Sequence, residues 1–301
     1  MTPGGLPMAS KLTHARHDPM HCLAPGLFRS LKRGDRKKLK LDVTYRYGDD
    51  ECARFIGFEP LGADDMRLLQ GLVALAGPNG VILTAAPTGG LPKQLRLGLS
   101  PKFDAKDSDG LVVRHHITRL MAEIGWDDSG KNILTVKASL VRMSNVTVII
   151  DSGPRRASFH LMSHAFDAED GKLFVCLNPQ IAEAVLGHRP HSRIDLNEVR
   201  RLHCDPARLM HQRLCGWIDP GKQGSVELDT LCAYIWPDAA NAEAMKKRRQ
   251  VTRRALLELH NVGWGVDEYS KGKWILRRPT KGKTSGGPAD LDRTNVPPSP
   301  D

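Results

Sequence analysis

No stretch of the 301-residue chain comes near the run of about 18 apolar side chains that a bilayer span needs. The opening MTPGGLPMASKL lacks the apolar core of a secretory signal, so the expectation is a cytoplasmic protein with no membrane partner. Cysteines are few: Cys22, Cys52, Cys176, Cys204, Cys215 and Cys232, with no C-x-x-C pair among them. That argues against a zinc ribbon and against a disulfide framework, and it fits a reducing compartment. Aromatic residues make up 5% of the chain, too few to build a stacking platform for single-stranded nucleic acid. Catalytic signatures are missing as well. GKTS at 282–285 resembles the end of a phosphate loop, but Arg277 stands where the loop's first glycine belongs. His14, His17, His21 and Cys22 cluster without metal-ligand spacing, and His115-His116 are merely adjacent. The spacing singles out no Ser/His/Asp set and no carboxylate pair. The expectation is a non-enzyme with no cofactor and no metal.

What the chain does have is positive charge, unevenly placed. Lys plus Arg number 44 against 34 Asp plus Glu, a formal net charge of +10. Residues 29–40, 245–254 and 271–283 carry +18 between them, which leaves the remainder at −8. A chain basic only in patches points to a polyanionic partner rather than to solubility alone.

The length suggests two domains, and the patterning gives an α+β chain, mainly α, with unstructured ends. Residues 1–25 and 280–301 are rich in proline and poor in apolar side chains, so both read as disordered. The first domain spans 26–188. It has an alternating strand at 41–47, a helix at 63–76 stopped by Gly77-Pro78, a hairpin around 80–99, and a helix ending at Gly125. A further helix over 130–144 buries Ile133, Val136, Leu140 and Val141. Its outward face is read as Lys131, Asn132, Thr135, Ser139 and Arg142. Two strands joined by DSGPRR follow, with Arg155 and Arg156 at the turn, then the strand LFVCL and a helix opened by Asn178-Pro179. The second domain, 189–279, repeats this order. Asp195 with Glu198 resembles a capping box, Asp205-Pro206 opens a helix, and a short helix covers 229–236. A long helix covers 241–262, and a hairpin turns at Ser270-Lys271-Gly272. Helices followed by a two-stranded hairpin is the order of a winged helix, here twice in tandem.

The strongest local signal is MKKRRQVTRR at 245–254. On a helix, Lys246, Arg249 and Arg253 share one stripe, and Lys247, Gln250 and Arg254 share the next; Arg248 completes the run. Like charges at i,i+4 cost an isolated helix roughly 0.2–0.5 kcal/mol per pair, and no acid is interspersed here. DNA recovers that cost through phosphates and through Arg forks on guanine. Lys271, Lys273, Arg277 and Arg278 on the terminal hairpin suit a wing on the DNA backbone. Lys131, Asn132, Thr135, Arg142, Arg155 and Arg156 form a second set of contacts. The segment RSLKRGDRKKLK (29–40) either holds phosphate or is a solvated linker.

HDPMHCLAPGLFRSLKRGDRKKLKLDVTY (17–45), EPLGADDMRLLQGLVALAGPNG (59–80), ARLMHQRLCGWIDPGKQG (207–224), DTLCAYIWP (229–237) and MKKRRQ (245–250) resemble, in order, the RepC family. These are the replication initiators of IncQ-type broad-host-range plasmids. The likeness runs from about residue 13 to 279. It implies a protein that binds iteron repeats as double-stranded DNA in the vegetative origin and opens an adjacent AT-rich segment. It also implies loading of a plasmid-encoded replicative helicase and primase. By analogy with more distant initiators it implies a homodimer formed through the N-terminal half, with sequence reading by the helix at 241–262. The rival readings are a winged-helix transcriptional regulator of a plasmid operon, separable by origin activity, and a nicking enzyme, which lacks its metal cluster and nucleophile.

Overall fold

The computed structural model describes residues 12–167 and 169–280; residues 1–11 and 281–301, where most of the expected disorder and GKTS fall, lie outside them. The chain opens with strand β1 (His14–His17) and the short helix α1 (Pro19–Leu23), which Asp18 caps by accepting from Met20 N at 2.8 Å. After α2 (Asp35–Lys38) come β2 (Leu41–Arg46) and β3 (Glu51–Gly57), then α3 (Ala63–Asn79), β4 (Val81–Leu83), α4 (Gly90–Leu99) and β5 (Lys102–Phe103). Strand β6 (Gly110–His116) leads into α5 (Ile117–Glu123) and α6 (Gly130–Ser144). Four strands follow: β7 (Thr147–Ser152), β8 (Arg155–His160), β9 (Met162–Phe166) and β10 (Lys172–Leu177). Helix α7 (Pro179–Leu186), β11 (Ser192–Asp195) and α8 (Leu196–Arg201) carry the chain into its last third. That third runs α9 (Asp205–Trp217), β12 (Gln223–Glu227), α10 (Leu228–Ile235), α11 (Ala242–Asn261), β13 (Gly265–Ser270) and β14 (Lys273–Arg277).

Among the described residues the strands form four antiparallel sheets, in the orders β1-β11, β4-β6-β10-β9, β12-β14-β13 and β2-β3-β7-β8-β5. Helix α3 is the hub of the first half. Every residue from Asp65 to Ala76 is buried, as expected of a helix enclosed on all sides. Its start is fixed by Asp65, which accepts from Gly62 N at 2.8 Å. Gly71 lets α5 lie against it, since a Cβ there would sit 2.5 Å from the Ile124 methyl.

Several sequence readings change here. Residues 80–99 are no hairpin: β4 pairs with β6 and α4 follows, with Leu95 and Leu99 buried one turn apart. Pro92 sits in the first turn of α4, where its missing N–H costs nothing. The strand read through 157–162 breaks at Leu161, so β8 and β9 belong to different sheets. On α6, Ser139 is buried while Val141 is half exposed. Asp195 caps α8 as read, accepting from Asn197 N and Glu198 N. Glu198 does not close the box, because its carboxylate accepts from His211 Nε2 (2.7 Å) and Trp264 Nε1 (2.9 Å).

The largest correction concerns residues 12–25. They are ordered: His17, Asp18, Met20, His21 and Cys22 are buried, β1 pairs with β11, and α1 packs on α9. One hydrophobic cluster extends from Ala15 through α3 to Leu276, so the core is continuous across residue 188. Gln70 of α3 donates to Gln212 of α9 at 2.6 Å inside that junction.

Candidate nucleic-acid interface

Helix α11 starts at the Asn241 cap, whose side chain accepts from Ala244 N at 2.9 Å. Thr252, Ala255, Leu256 and Leu259 form its buried stripe, and the Thr252 hydroxyl lies 3.2 Å from Cys232 Sγ of α10. That packing turns the opposite face outward, leaving Lys246, Lys247, Arg249, Gln250, Arg253 and Arg254 exposed. Lys246, Gln250, Arg253, Arg254 and Leu257 line a shallow cleft of about 470 Å³. Leu257, 64% exposed, sits one turn beyond Arg253 on this face. The sequence reading missed it, although the buried neighbours Leu256 and Leu259 carry the signal that position 257 points away from the core.

The basic residues divide by what they touch. Arg248 is turned inward: it donates to the Asp238 carbonyl at 2.6 Å and lies over the Trp236 ring. Arg249 forks onto Asp229 of α10, with both bonds at 2.6 Å. That hydrogen bond holds the Asp229 carboxyl below its ordinary pKa. Arg253 is 4.0 Å from Glu268. On the terminal hairpin, Arg277 pairs with Asp267 and donates to Gln223. Arg278, read as a wing residue, is buried instead, donating to the carbonyls of Cys215 and Ile218 at 2.8 Å and to that of Arg193. Lys246, Lys247, Arg254, Lys271 and Lys273 are exposed and have no acidic partner among the described residues. A second cleft of about 360 Å³ brings Arg249, Arg253, Lys271 and Lys273 together with Asp229. The long helix and the hairpin therefore share one electropositive face.

The second set of candidates does not gather in this way. Arg142 is 10% exposed at its side chain and gives two bonds to buried Asp65, at 2.8 and 3.1 Å. It is not available on the surface as read. Asn132 donates to the Asp127 carboxylate at 2.7 Å, and the Thr135 hydroxyl donates to the Lys131 carbonyl, so both serve the start of α6. Arg156 pairs with Asp151 and lies over the Phe103 ring. Lys131 and Arg155 are exposed. The exposed face of α6 also carries Leu134 and Val141, 69% and 49% exposed, so it mixes apolar side chains with the exposed Lys131 and Lys137.

Among the described residues no helix is long and apolar enough to cross a membrane, and no three His, Cys, Asp or Glu side chains are placed to hold a metal ion. The family model described as Replication protein C (RepC) matches residues 9–280. No curated protein is significantly similar to the chain. Among solved structures, a crystal structure of domains 2 and 3 of RctB superposes with a TM-score of 0.54 at 11% identity, covering 88% of this chain and 99% of that one. A second RctB domain 2–3 structure gives 0.50 at 10% identity, covering 86% and 96%. At such identity the likeness is one of fold.

Proposed function

The chain belongs to the replication protein C (RepC) family, and from that premise we propose that it initiates replication of a plasmid by binding iteron repeats in the origin duplex. The observation that carries the reading is the α11 face, where Lys246, Lys247, Gln250 and Arg254 stand exposed beside the hairpin lysines Lys271 and Lys273. We read residues 205–278 as a winged helix. Their order is helix α9, strand β12, helices α10 and α11, then the hairpin β13–β14, with β14 in the middle of the three-stranded sheet. Helix α11, 20 residues long, spans about 30 Å and enters the major groove. Arg254 and Gln250 have the fork and amide chemistry for guanine and adenine edges, and Leu257 meets thymine methyls. The lysines hold phosphates, which position the protein and carry no sequence information. Helices α5 and α6 with the β7–β8 hairpin form the second winged helix, in the half assigned to dimerisation and partner contacts.

Binding strains the origin, an adjacent AT-rich segment opens, and the plasmid-encoded helicase and primase load there. The protein supplies binding energy in the cytoplasm and performs no catalysis. Nuclease footprinting on the origin of the parent replicon tests this. The expected result is a ladder of protection at the repeat spacing, and uniform or absent protection refutes it. Loss of origin activity in a binding-deficient variant separates the initiator from a transcriptional regulator, which would lose only repression.

A further inference from the structure

A second exposed basic segment in the described residues lies outside α11. Residues 29–40 hold seven basic side chains against the single acid Asp35. They form a strap with both ends fixed. At one end Arg29 N donates to the Leu61 carbonyl (3.0 Å) and Ser30 N to the Ile235 carbonyl (2.9 Å) at the end of α10. The Arg29 guanidinium pairs with Asp238, in the loop ahead of α11. The carbonyl of that same Asp238 takes Arg248 of α11. At the other end Arg36 reaches buried Asp65 at 2.9 Å, the residue that also holds Arg142 of α6. The strap thus runs from the root of α11 to the start of α3.

Between and just beyond these pins the charges are free. Lys32, Arg33, Lys37, Lys38 and Lys40 are exposed, and none has an acidic partner among the described residues. Asp35, the one acid in the segment, forms an ion pair with none of them: its carboxylate accepts from Lys32 N at 2.8 Å in the turn at Gly34, φ 93°, and a single negative charge offsets only one of the five. Five cations against one carboxylate within nine residues repel one another. A polyanion relieves this repulsion.

The geometry points to a phosphate-binding strap: the duplex engaged by α11 continues across Lys32, Arg33, Lys37, Lys38 and Lys40, which hold its backbone between the two halves of the protein. This rests on the reading of α11 as a DNA-binding helix. The anchorage of the strap to the loop that roots α11 favours DNA over an acidic protein as its occupant. Four of the five residues are lysines, which bind phosphate as point charges. The strap therefore adds affinity without sequence preference.

The test uses the full chain carrying K32Q, R33Q, K37Q, K38Q and K40Q. Binding is followed by fluorescence anisotropy between 50 and 200 mM salt, on a duplex bearing the footprinted repeat and on a shuffled duplex. If about three of the five cations touch phosphate, the log–log salt slope shrinks by about 3, and affinity at 0.15 M salt falls by on the order of 100-fold. Both duplexes should lose alike, so that their affinity ratio is kept, and the melting midpoint should not move. If the midpoint does move, K37Q/K38Q replaces the quintuple variant, with an expected slope change of about 1–2. An unchanged slope overturns the strap. So does a lost ratio, which would mean base reading. Intact DNA binding with lost replication overturns it too, in favour of a protein partner. A wild-type chain that fails to distinguish the two duplexes overturns the α11 reading instead, and leaves the strap to its slope.

Discussion

Salt titration of the strap-neutral variant isolates the face made by α11 and the terminal hairpin, and the structure sets its expected slope. Residues 245–254 and 271–278 contain ten basic side chains, which taken at face value would give a log–log slope of about −9. Four of them are engaged elsewhere. Arg249 and Arg277 hold Asp229 and Asp267, while Arg248 and Arg278 hold backbone carbonyls. Six remain: Lys246, Lys247, Arg253, Arg254, Lys271 and Lys273, of which only Arg253 has a carboxylate even at 4.0 Å. At about 0.9 per contact the slope is about −5, so affinity for the repeat duplex falls about 10³-fold between 50 and 200 mM salt. The wild type, with about three strap contacts added, should show about −8 and lose about 10⁵-fold. Replacing Asp229 by Asn releases Arg249 and should steepen either slope by about 1. A strap-neutral slope shallower than about −2 refutes the phosphate face. A slope near −9 refutes the pairing argument, because it requires every engaged arginine to let go.

Three further outcomes are expected. Glu198→Gln weakens the acceptor shared by His211 and Trp264, a break in a buried pair that costs about 3–5 kcal/mol, or about 10 °C in melting midpoint. Burial disfavours the His211 imidazolium, but Cys215 and Glu198 overcome it and raise its pKa from 6.5 to about 10, so the gap between wild type and variant is full at about pH 5–6.5, closes as pH rises through 10, and closes again in acid as pH falls through the lowered pKa of Glu198. Arg278→Ala leaves the Cys215, Ile218 and Arg193 carbonyls without their donor, so the midpoint drops while the salt slope of the folded protein stays unchanged. A fragment cut at 189 loses β1, the partner of β11, and uncovers the α9 side chains that pack on α1 and α3; differential scanning fluorimetry should show no cooperative transition, whereas residues 12–280 unfold in one.

Much of the fold was legible because it is local. The start of α3, the Asn178 and Asp195 caps, the strands on either side of DSGPRR and the α11 stripe all depend on residues within one or two turns of each other, whereas the stop read at Gly77-Pro78 is overrun, since α3 continues through Pro78 to Asn79. Where the reading failed, a distant partner decided. Nothing near 80–99 says that Val81–Leu83 pairs with Gly110–Val112 and frees the following residues to form α4. The first 25 residues looked unburiable because they offer proline and histidine rather than leucine. Yet His17 and His21 are fully enclosed, with His21 packed edge-on against Phe55 and Asp18 beside it. Composition registers how polar a side chain is and says nothing of whether the fold supplies it with a partner.

The same limit applies to the site, with a regularity of its own. A basic run fixes where positive charge can stand, but the carboxylates that cancel it come from far away in sequence. Asp229 lies 20 residues from Arg249, and Asp65 lies 77 from Arg142. The division nevertheless follows residue type. The engaged cations are arginines: 29, 36, 142, 156, 248, 249, 277 and 278. Lys172 is the one lysine in an ion pair among the described residues. The guanidinium fork matches a carboxylate or a set of carbonyls in fixed geometry, whereas an ammonium on a flexible stem gains little from any one partner and stays hydrated. Lysines in a basic run are therefore the charges left for a polyanion, and arginines are the ones that the fold recruits first. By that rule Lys246, Lys247, Lys271, Lys273 and the strap lysines carry the electrostatic attraction. Within the runs 29–40 and 245–254, Arg33 and Arg254, exposed and with no acidic partner among the described residues, are the exceptions whose forks remain open for the ligand.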